Sequence, residues 1–209
     1  MRPKHLPEIG FFDKLEFSED SPLPILFSGC LAEAMCGYDG TNFGEYTYMR
    51  AIIAHPAIKA VPFCPEEFSF GAPRDICDIV GGDGFDVLEG NARVITDKGD
   101  DWTDKMIIAA NWMAGYAQDN NVKCAILMDT SAACGSQVIY DGARSKKNYQ
   151  IGMGVCAARL HQAGIPILSQ RDFVTMKPLL DRLGIAIEEG DDGNDHHQRE
   201  WYKDYFKTS

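Results

Sequence analysis

The sequence has no apolar run long enough to cross a membrane, and its first residues, MRPKHLPEIGFFDKLEF, contain no apolar stretch typical of an export signal. Basic residues are also few: 20 Lys and Arg stand against 31 Asp and Glu, which gives a formal net charge of −11. Because contacts with a phosphate backbone require Lys and Arg, this balance argues against a nucleic-acid partner. These absences predict a cytoplasmic protein that binds neither a membrane nor a nucleic-acid polymer.

Two common catalytic or binding motifs are missing as well. The glycines at 81–84 (GGDG) are not followed by Gly-Lys-Ser/Thr and do not open a Gly-x-Gly-x-x-Gly motif, so they predict a tight turn and no phosphate loop. The five histidines lie outside every segment that follows a predicted strand, so no Ser-His-Asp arrangement is supported. A nucleotide-binding α/β module with incidental cysteines is therefore the least favoured function class.

Predicted strands alternate with predicted helices along most of the chain. The strands are PLPILFSG (22–29), AIKAVPF (57–63), KCAILMD (123–129) and IPILS (165–169). The helices are predicted over 45–55, 103–118, 154–164 and 173–184. This alternation predicts an α/β fold, namely a single Rossmann-like domain with a mainly parallel sheet flanked by helices. In such sheets, ligands bind beyond the carboxyl ends of the strands.

Three regions are predicted along the chain. Residues 1–20 are a charged N-terminal extension, residues 21–187 the α/β domain, and residues 188–209 an acidic and then aromatic C-terminal tail. The tail is expected to begin as a mobile, solvated segment that includes His196 and His197. Its last part, REWYKDYF, predicts a short amphipathic helix that packs on the domain or contributes to a homodimer.

Proline and glycine mark the predicted loops between these elements. Residues 64–75 (CPEEFSFGAPRD) contain two prolines and are predicted to be a loop. Residues 81–101 are predicted to be rich in turns, with one short strand at ARVIT. The polar segment 136–149 is predicted to be a loop that contains a small hairpin.

Three of the seven cysteines directly follow predicted strands. Cys30 comes after PILFS, Cys64 after AIKAVPF, and Cys134 lies in the loop SAACGS behind KCAILMD. The odd number of cysteines and the lack of an export signal argue against full disulfide pairing. Small neighbours leave room beside each sulfur, and thiolates bind soft metals and iron–sulfur clusters. The spacing contains no local Cys-x-x-Cys, so the residues alone leave buried thiols, a metal site and a cluster open.

The remaining cysteines are interpreted mainly as packing residues. Cys36 follows in the same loop as the first strand-end cysteine and is a spare thiol, a fourth ligand or a packing residue, with packing favoured. Cys124 and Cys156 fall inside a predicted strand and a predicted helix, and Cys77 is assigned a structural role. Arg74 is either a ligand-binding cation or the partner of a neighbouring aspartate.

A series of short motifs gives the sequence a family resemblance. In order along the chain they are SGCL, CGYDG, CPE, APR, GGDG with DVLEG, SAACG, IYDG and GMGV. Their order and spacing resemble the family that includes the thiouracil desulfidases, over roughly residues 24–170. The resemblance implies a [4Fe–4S] cluster held by Cys30, Cys64 and Cys134. It also implies that the fourth iron takes sulfur from a small thiolated compound such as a thiouracil, leaving a carbonyl and releasing sulfide.

The same motifs carry the expected catalytic residues. Asp39, Glu66 and Ser131 stand in the matching motifs. A carboxylate there is expected to act as a general base toward water or as an acid toward the ring nitrogen. Ser131 is expected to orient the substrate or to relay a proton. A noncatalytic metal- or cluster-binding protein with a structural or sensing role is the alternative function.

The sequence departs from the family pattern around the predicted pocket. Ala32-Glu33-Ala34 stands where the family commonly has Leu-Leu-Gly, and Ala132 and Ala133 fill the middle of the motif that is commonly Ser-Pro-Ser-Cys-Gly. The lysine usual before that motif is replaced by Met128-Asp129-Thr130. These changes leave the three expected ligands in place, and they leave the identity of the substrate open.

Overall fold

A computed structural model of the protein describes residues 2–42, 46–142, 144–186 and 193–208. Its strands, numbered along the chain, are β1 (Leu23–Ser28), β2 (Ile58–Phe63), β3 (Cys77–Val80), β4 (Arg93–Thr96), β5 (Cys124–Leu127), β6 (Val138–Tyr140), β7 (Tyr149–Ile151) and β8 (Ile167–Ser169). The central sheet is parallel, with the order β2-β1-β5-β8. Two antiparallel strand pairs stand beside it: β3-β4, which are connected through a helix, and the hairpin β6-β7.

Seven α-helices accompany the strands in the described residues. They are α1 (Thr47–Ala54), α2 (Pro65–Phe70), α3 (Gly84–Glu89), α4 (Thr103–Asp119), α5 (Val155–Gln162), α6 (Phe173–Leu183) and α7 (Glu200–Phe206). The predicted α/β fold with a mainly parallel sheet is confirmed. The predicted start of the first helix at residue 45 lies outside the described residues. None of the helices in the described residues is both long and apolar enough to cross a membrane.

The central sheet is buried on both faces. Along β1, Ile25 and Phe27 point into a layer formed with α1 and α6, whereas Leu26 points into a layer formed with α4 and α5. All three side chains are fully buried. Because successive side chains of a strand point to opposite faces, a strand covered on both sides must be apolar at every position. This explains the uninterrupted apolar runs that identified the strands in the sequence.

Two segments predicted to be loops or turns contain helices. In α2, Pro65 stands at the first helical position and the Cys64 sulfur accepts a hydrogen bond from the Glu67 amide at 3.4 Å. In α3, Asp83 accepts the Phe85 amide at 2.8 Å, while Asp86 accepts the Asp83 amide at 2.9 Å. Reciprocal caps of this kind satisfy the free amides of a helix start. The loop prediction was wrong for residues 65–70, because proline and glycine were given more weight than these caps, whereas residues 71–75 contain neither helix nor strand.

The two terminal segments contact the sheet domain where they are described. Phe12 is 2% exposed and packs in the layer of α1 and α6. His196 is 0% exposed and contacts the buried Asp129, so its interpretation as a solvated residue was wrong. The predicted amphipathic helix is confirmed as α7. The boundary at 187 and the acidic start of the tail at 188–192 lie outside the described residues, and the division into three regions stays a prediction.

Candidate active site

The carboxyl ends of three parallel strands bring four cysteines into one pocket. Cys30 follows β1, Cys64 follows β2, and Cys134 lies in the loop after β5. All three line a pocket of about 360 Å³, together with Cys36. Cys30 and Cys64 are partly exposed, and the other two are buried. The expected convergence of the strand-end cysteines is therefore present in the structure.

Three of these thiols are close neighbours. The Cys36 and Cys64 sulfurs lie within 4.8 Å of each other and of a Glu67 carboxylate oxygen. A hydrogen bond with Cys30 is the main cause that raises the pKa of Cys36 to about 12. Gly29 permits this approach, because a Cβ there would lie 3.1 Å from the Cys64 Cβ and 3.4 Å from the Cys36 sulfur. The favoured interpretation of Cys36 as a packing residue is incomplete, since its thiol belongs to the pocket.

Hydrogen bonds to its backbone amides and carbonyls hold the loop that carries Cys134. The Ser131 hydroxyl oxygen accepts the amides of Ala133 and Cys134, each at 3.1 Å. From the other side, the first amides of α5 donate to the loop: Val155 to the Ala132 carbonyl and Cys156 to the Ala133 carbonyl, each at 2.9 Å. The alanines at 132 and 133 are buried in this contact. The loop is therefore a rigid support for the Cys134 thiol.

Gly154 makes the contact between this loop and α5 possible. A Cβ at Gly154 would lie 2.5 Å from the Ala133 carbonyl carbon and oxygen, which are backbone atoms with no freedom to move aside. We expect Gly154→Ala to destabilise the fold by about 1–3 kcal/mol through overpacking. Thermal unfolding checks this, with Gly115→Ala as the control. A Cβ at Gly115 in α4 meets open space, so this change should stabilise by about 0.5–1 kcal/mol. Equal melting temperatures for the two variants would contradict the steric account.

Glu66 links two sides of the pocket. Its Oε2 accepts hydrogen bonds from Arg74 Nε at 3.1 Å and Arg74 Nη2 at 2.7 Å, and its Oε1 accepts the Ser131 hydroxyl at 3.1 Å. The side chains of Arg74 and Glu66 are 5% and 16% exposed. Arg74 also donates to the Cys36 carbonyl at 2.8 Å. Arg74 is thus the partner of a pocket carboxylate, which differs from the neighbouring aspartates considered from the sequence.

Asp39 is the one expected catalytic residue that does not join the others. Its carboxylate accepts the Thr41 amide at 3.0 Å and the Thr41 hydroxyl at 2.6 Å, and it is exposed. It is absent from the described residues that line the pocket. These hydrogen bonds lower the pKa of Asp39 and stabilise the turn of the loop after β1. A catalytic role for Asp39 stays a prediction, without support from this geometry.

The pocket lining also includes charged residues that the sequence analysis did not identify as functional. Asp129 is fully buried at the end of β5, and its Oδ1 accepts the amides of Thr130, Ser136 and Val138. Burial alone would raise the pKa of Asp129. The charge of His196, its hydrogen bond and the hydrogen bond from the Thr130 amide outweigh burial, so the pKa of Asp129 is lowered to about 2. The departure from the family pattern at 128–130 was the sequence signal for this residue.

Arginines form the outer part of the lining. Arg144 pairs with the buried Asp78, with its Nη2 at 3.1 Å from Oδ1, and its guanidinium lies 5.1 Å from the centre of the Tyr140 ring. Arg171, which follows β8, also lines the pocket. The Tyr38 and Tyr46 rings line the same pocket, so it offers both charged and aromatic contacts to a small ligand.

Comparison with known proteins places this arrangement in a family. A family model described as 2-thiouracil desulfurase matches residues 25–172. The chain belongs to the 2-thiouracil desulfurase family. The resemblance predicted from the short motifs is thereby confirmed. The match includes the pocket cysteines, Glu66 and Ser131, whereas the segment 193–208 lies outside it.

Two relatives of this family member are informative. The chain is 36% identical over 150 residues to YbbK of Bacillus subtilis (strain 168), a protein described as uncharacterized; the alignment covers 71% of this chain and 97% of YbbK. It is also similar to a solved structure, the [4Fe-4S]-dependent thiouracil desulfidase TudS. The TM-score is 0.62 at 27% sequence identity, covering 77% of this chain and 99% of that chain. The aligned part of this chain thus corresponds to nearly the whole of both relatives.

Proposed function

We propose that this protein is a [4Fe–4S]-dependent desulfidase that removes sulfur from a small thiolated compound such as a thiouracil. One observation carries the proposal: three cysteines from three separate strand ends line a single pocket beside a carboxylate held in a fixed orientation. The family membership and the similarity to TudS support the same activity. A protein that held a cluster only for structure or sensing would need no such carboxylate next to the thiols.

The donor atoms of the pocket fit an iron–sulfur cluster. Thiolates are the usual protein ligands of such clusters, and Cys30, Cys64 and Cys134 would hold three of the four irons. When bound, the cluster would supply an iron without a protein ligand, which has a high affinity for sulfur. A hydrogen bond with Cys36 and burial raise the pKa of Cys64, and burial raises the pKa of Cys134. Both are therefore neutral thiols at pH 7, and cluster loading must release their protons.

The overall reaction needs water and no electron acceptor. A thiocarbonyl group and one water molecule become a carbonyl group and hydrogen sulfide. The C–S bond breaks, the water oxygen forms the new C–O bond, and both water protons leave with the sulfide. Neither carbon nor sulfur changes its oxidation state. The protein must therefore position the substrate, exclude bulk water and move protons.

Glu66 is the residue best placed to accept a proton. Its Oε2 accepts hydrogen bonds from Arg74 Nε and Nη2, while Oε1 accepts one hydrogen bond, from Ser131. A carboxylate oxygen accepts two hydrogen bonds, so Oε1 has one acceptor position left on a side chain that lines the pocket. A water or a ring N–H at that position would be held in hydrogen-bond contact with a general base. We assign Glu66 this role.

Ser131 is better suited to positioning than to proton relay. Its oxygen accepts two amide hydrogen bonds from the Cys134 loop, and its proton is donated to Glu66. A hydroxyl has one donor and two acceptor positions, so this arrangement uses all three. The side chain thereby fixes the Cys134 loop against the catalytic carboxylate. Of the two roles expected from the sequence, the geometry supports the orienting one.

The predicted homodimer concerns the surface of α7 and stays a prediction. Trp201 and Tyr205 are each 41% exposed on this helix. Light scattering of the loaded protein, compared with Trp201→Ala, tests whether these side chains hold two copies together. A monomer at micromolar concentration would end the homodimer prediction without affecting the proposed activity.

Anaerobic reconstitution tests the proposed function. The full chain would be loaded with iron and sulfide, freed of excess sulfide, and mixed with 2-thiouracil or 4-thiouracil. We expect loss of the thiouracil absorbance and equimolar formation of uracil and sulfide. Glu66→Gln, loaded in the same way, separates enzymatic release from reaction with leached iron. A wild-type protein that binds about four irons and releases no sulfide from either compound would contradict the proposal as stated.

A further inference from the structure

The segment 193–208 is anchored to the domain by buried polar groups. Asp195 and His196 are both 0% exposed. The Asp195 carboxylate accepts the Thr175 amide at 2.8 Å and the Thr175 hydroxyl at 2.7 Å. The His196 amide donates to Asp172 at 3.0 Å. Because buried polar groups are costly unless they are paired, these bonds fix the segment to the start of α6.

His196 is connected to the pocket through Asp129. The His196 Nδ1 contacts the Asp129 Oδ2, and both side chains are 0% exposed. The other oxygen of Asp129 accepts the Thr130 amide at 3.0 Å and the Ser136 amide at 3.3 Å. These two amides stand on either side of Cys134 in the sequence. One carboxylate therefore joins the histidine of the segment to the loop that carries the thiol.

The contact between His196 and Asp129 stabilises the buried carboxylate. A buried carboxylate that loses its charged or donating partner leaves an uncompensated charge in a medium of low dielectric constant. The Ser169 hydroxyl also donates to Asp129 Oδ2, at 3.4 Å, so without His196 this oxygen would keep that long hydrogen bond and would admit water or take up a proton. Either change weakens the hydrogen bonds that its Oδ1 accepts from the loop amides.

A second part of the segment supports the pocket from another side. The Tyr205 hydroxyl accepts the Tyr149 amide at 2.9 Å, and the Tyr149 ring lies 5.3 Å from the Trp201 ring. The Tyr149 ring also lies 4.9 Å from the Tyr140 ring, which lines the pocket. Helix α7 thus packs on the β6-β7 hairpin, and the Trp201 ring stacks on His196 at 5.9 Å. The His196–Asp129 contact and the packing of α7 on the hairpin therefore belong to the same segment, 193–208.

We propose that the segment 193–208 supports the active site and that His196 is a positioning residue, which holds the Cys134 loop through Asp129. This inference rests on the proposed function for the role of the loop. It places supporting residues of the site beyond those that match the family model, which end at 172.

Amide hydrogen exchange of the reconstituted full chain tests the inference directly. In His196→Ala, we expect the amides of residues 130–138 to exchange at least about tenfold faster, while the strands of the central sheet stay protected. Iron loss to a chelator should accelerate by a similar factor. His196→Asn keeps a donor near the position of Nδ1 and should restore most of the protection. His197→Ala makes the same truncation one residue further along, away from Asp129, and should resemble the wild type.

The outcomes separate this inference from the proposed function. Wild-type exchange over 130–138 in His196→Ala would overturn the positioning role, whether or not the protein releases sulfide. Faster exchange that Asn does not restore would assign the effect to lost packing and would also overturn it. If His196→Ala does not fold, Tyr205→Phe removes only the hydroxyl that holds the hairpin, and unchanged exchange at Tyr149 would then refute the second support. Absence of sulfide release from the wild type would count against the desulfidase alone.

Discussion

Replacing Cys30, Cys64 or Cys134 with serine is expected to reduce bound iron from about four atoms per chain to nearly none. Each thiol comes from a different strand end, so each substitution removes one of three expected ligands, and the loop of Cys30 also contributes the Cys36 thiol to the pocket. Sulfide release from thiouracil should fall below detection with the loss of the cluster. Iron analysis and the visible absorption spectrum of anaerobically loaded protein measure the first effect, and a sulfide assay measures the second.

Two other cysteines provide matched controls for this result. Cys124 lies in β5 and is fully buried, so Cys124→Ala should keep its iron and lose only about 1 kcal/mol of stability. Cys36→Ser is the more demanding control, because the Cys36 thiol is inside the pocket. We expect it to bind iron like the wild type. Loss of iron in Cys36→Ser, together with retention in Cys30→Ser, would transfer the ligand assignment from Cys30 to Cys36.

Glu66→Gln is expected to lower kcat by about 10²–10⁴ while the iron content stays unchanged. The amide cannot accept a proton, and its NH₂ group must face either the Arg74 guanidinium or the Ser131 hydroxyl, which both donate to Glu66 in the wild type. KM should change little, since Gln keeps a side chain of the same size and an acceptor oxygen in the pocket. Steady-state kinetics on protein with equal iron loading make the comparison. An undiminished kcat would remove Glu66 as the general base.

Ser131→Ala and Asp39→Asn distinguish the two other expected catalytic residues. Ser131→Ala releases two loop amides, so we expect faster iron loss to a chelator than in Glu66→Gln, along with a lower kcat. Asp39→Asn affects an exposed turn outside the pocket lining, and its kcat should stay within about threefold of the wild type. A loss of several orders of magnitude in Asp39→Asn would instead support the catalytic role predicted from its motif.

The central part of the site follows from the sequence because it depends on strands alone. Apolar runs before Cys30, Cys64 and Cys134 identified three buried strands, and parallel strands place their carboxyl ends at one edge of a sheet. The hydrogen-bond partners of the pocket side chains could not be predicted from the strands. Arg74 was recognised as a functional candidate, but its pairing with Glu66 depends on α2, which the sequence analysis assigned to a loop. The cap formed by the Cys64 sulfur is rare enough that propensity rules do not anticipate it.

The contact between His196 and Asp129 shows a different limit of sequence interpretation. Local composition placed His196 in an acidic, polar stretch that is typical of solvated tails. Its burial depends on a partner far away in the sequence, at the end of β5, and no periodic pattern connects the two. The signal that existed was indirect: Met128-Asp129-Thr130 stands in place of the lysine that is usual before the SAACG motif. A buried carboxylate at that position requires a compensating group from elsewhere in the chain.

The position of β1 between β2 and β5 has a consequence for protein synthesis. Once the ribosome has released residues up to the end of α2, β1 and β2 can pair and bring Cys30, Cys36 and Cys64 together. Cys134 joins them only when β5 adds to the other edge of β1, and His196 is translated later still. A nascent chain therefore presents an incomplete group of thiols before the full site exists. We therefore expect a cluster with three cysteine ligands to be inserted only after the whole domain has been translated.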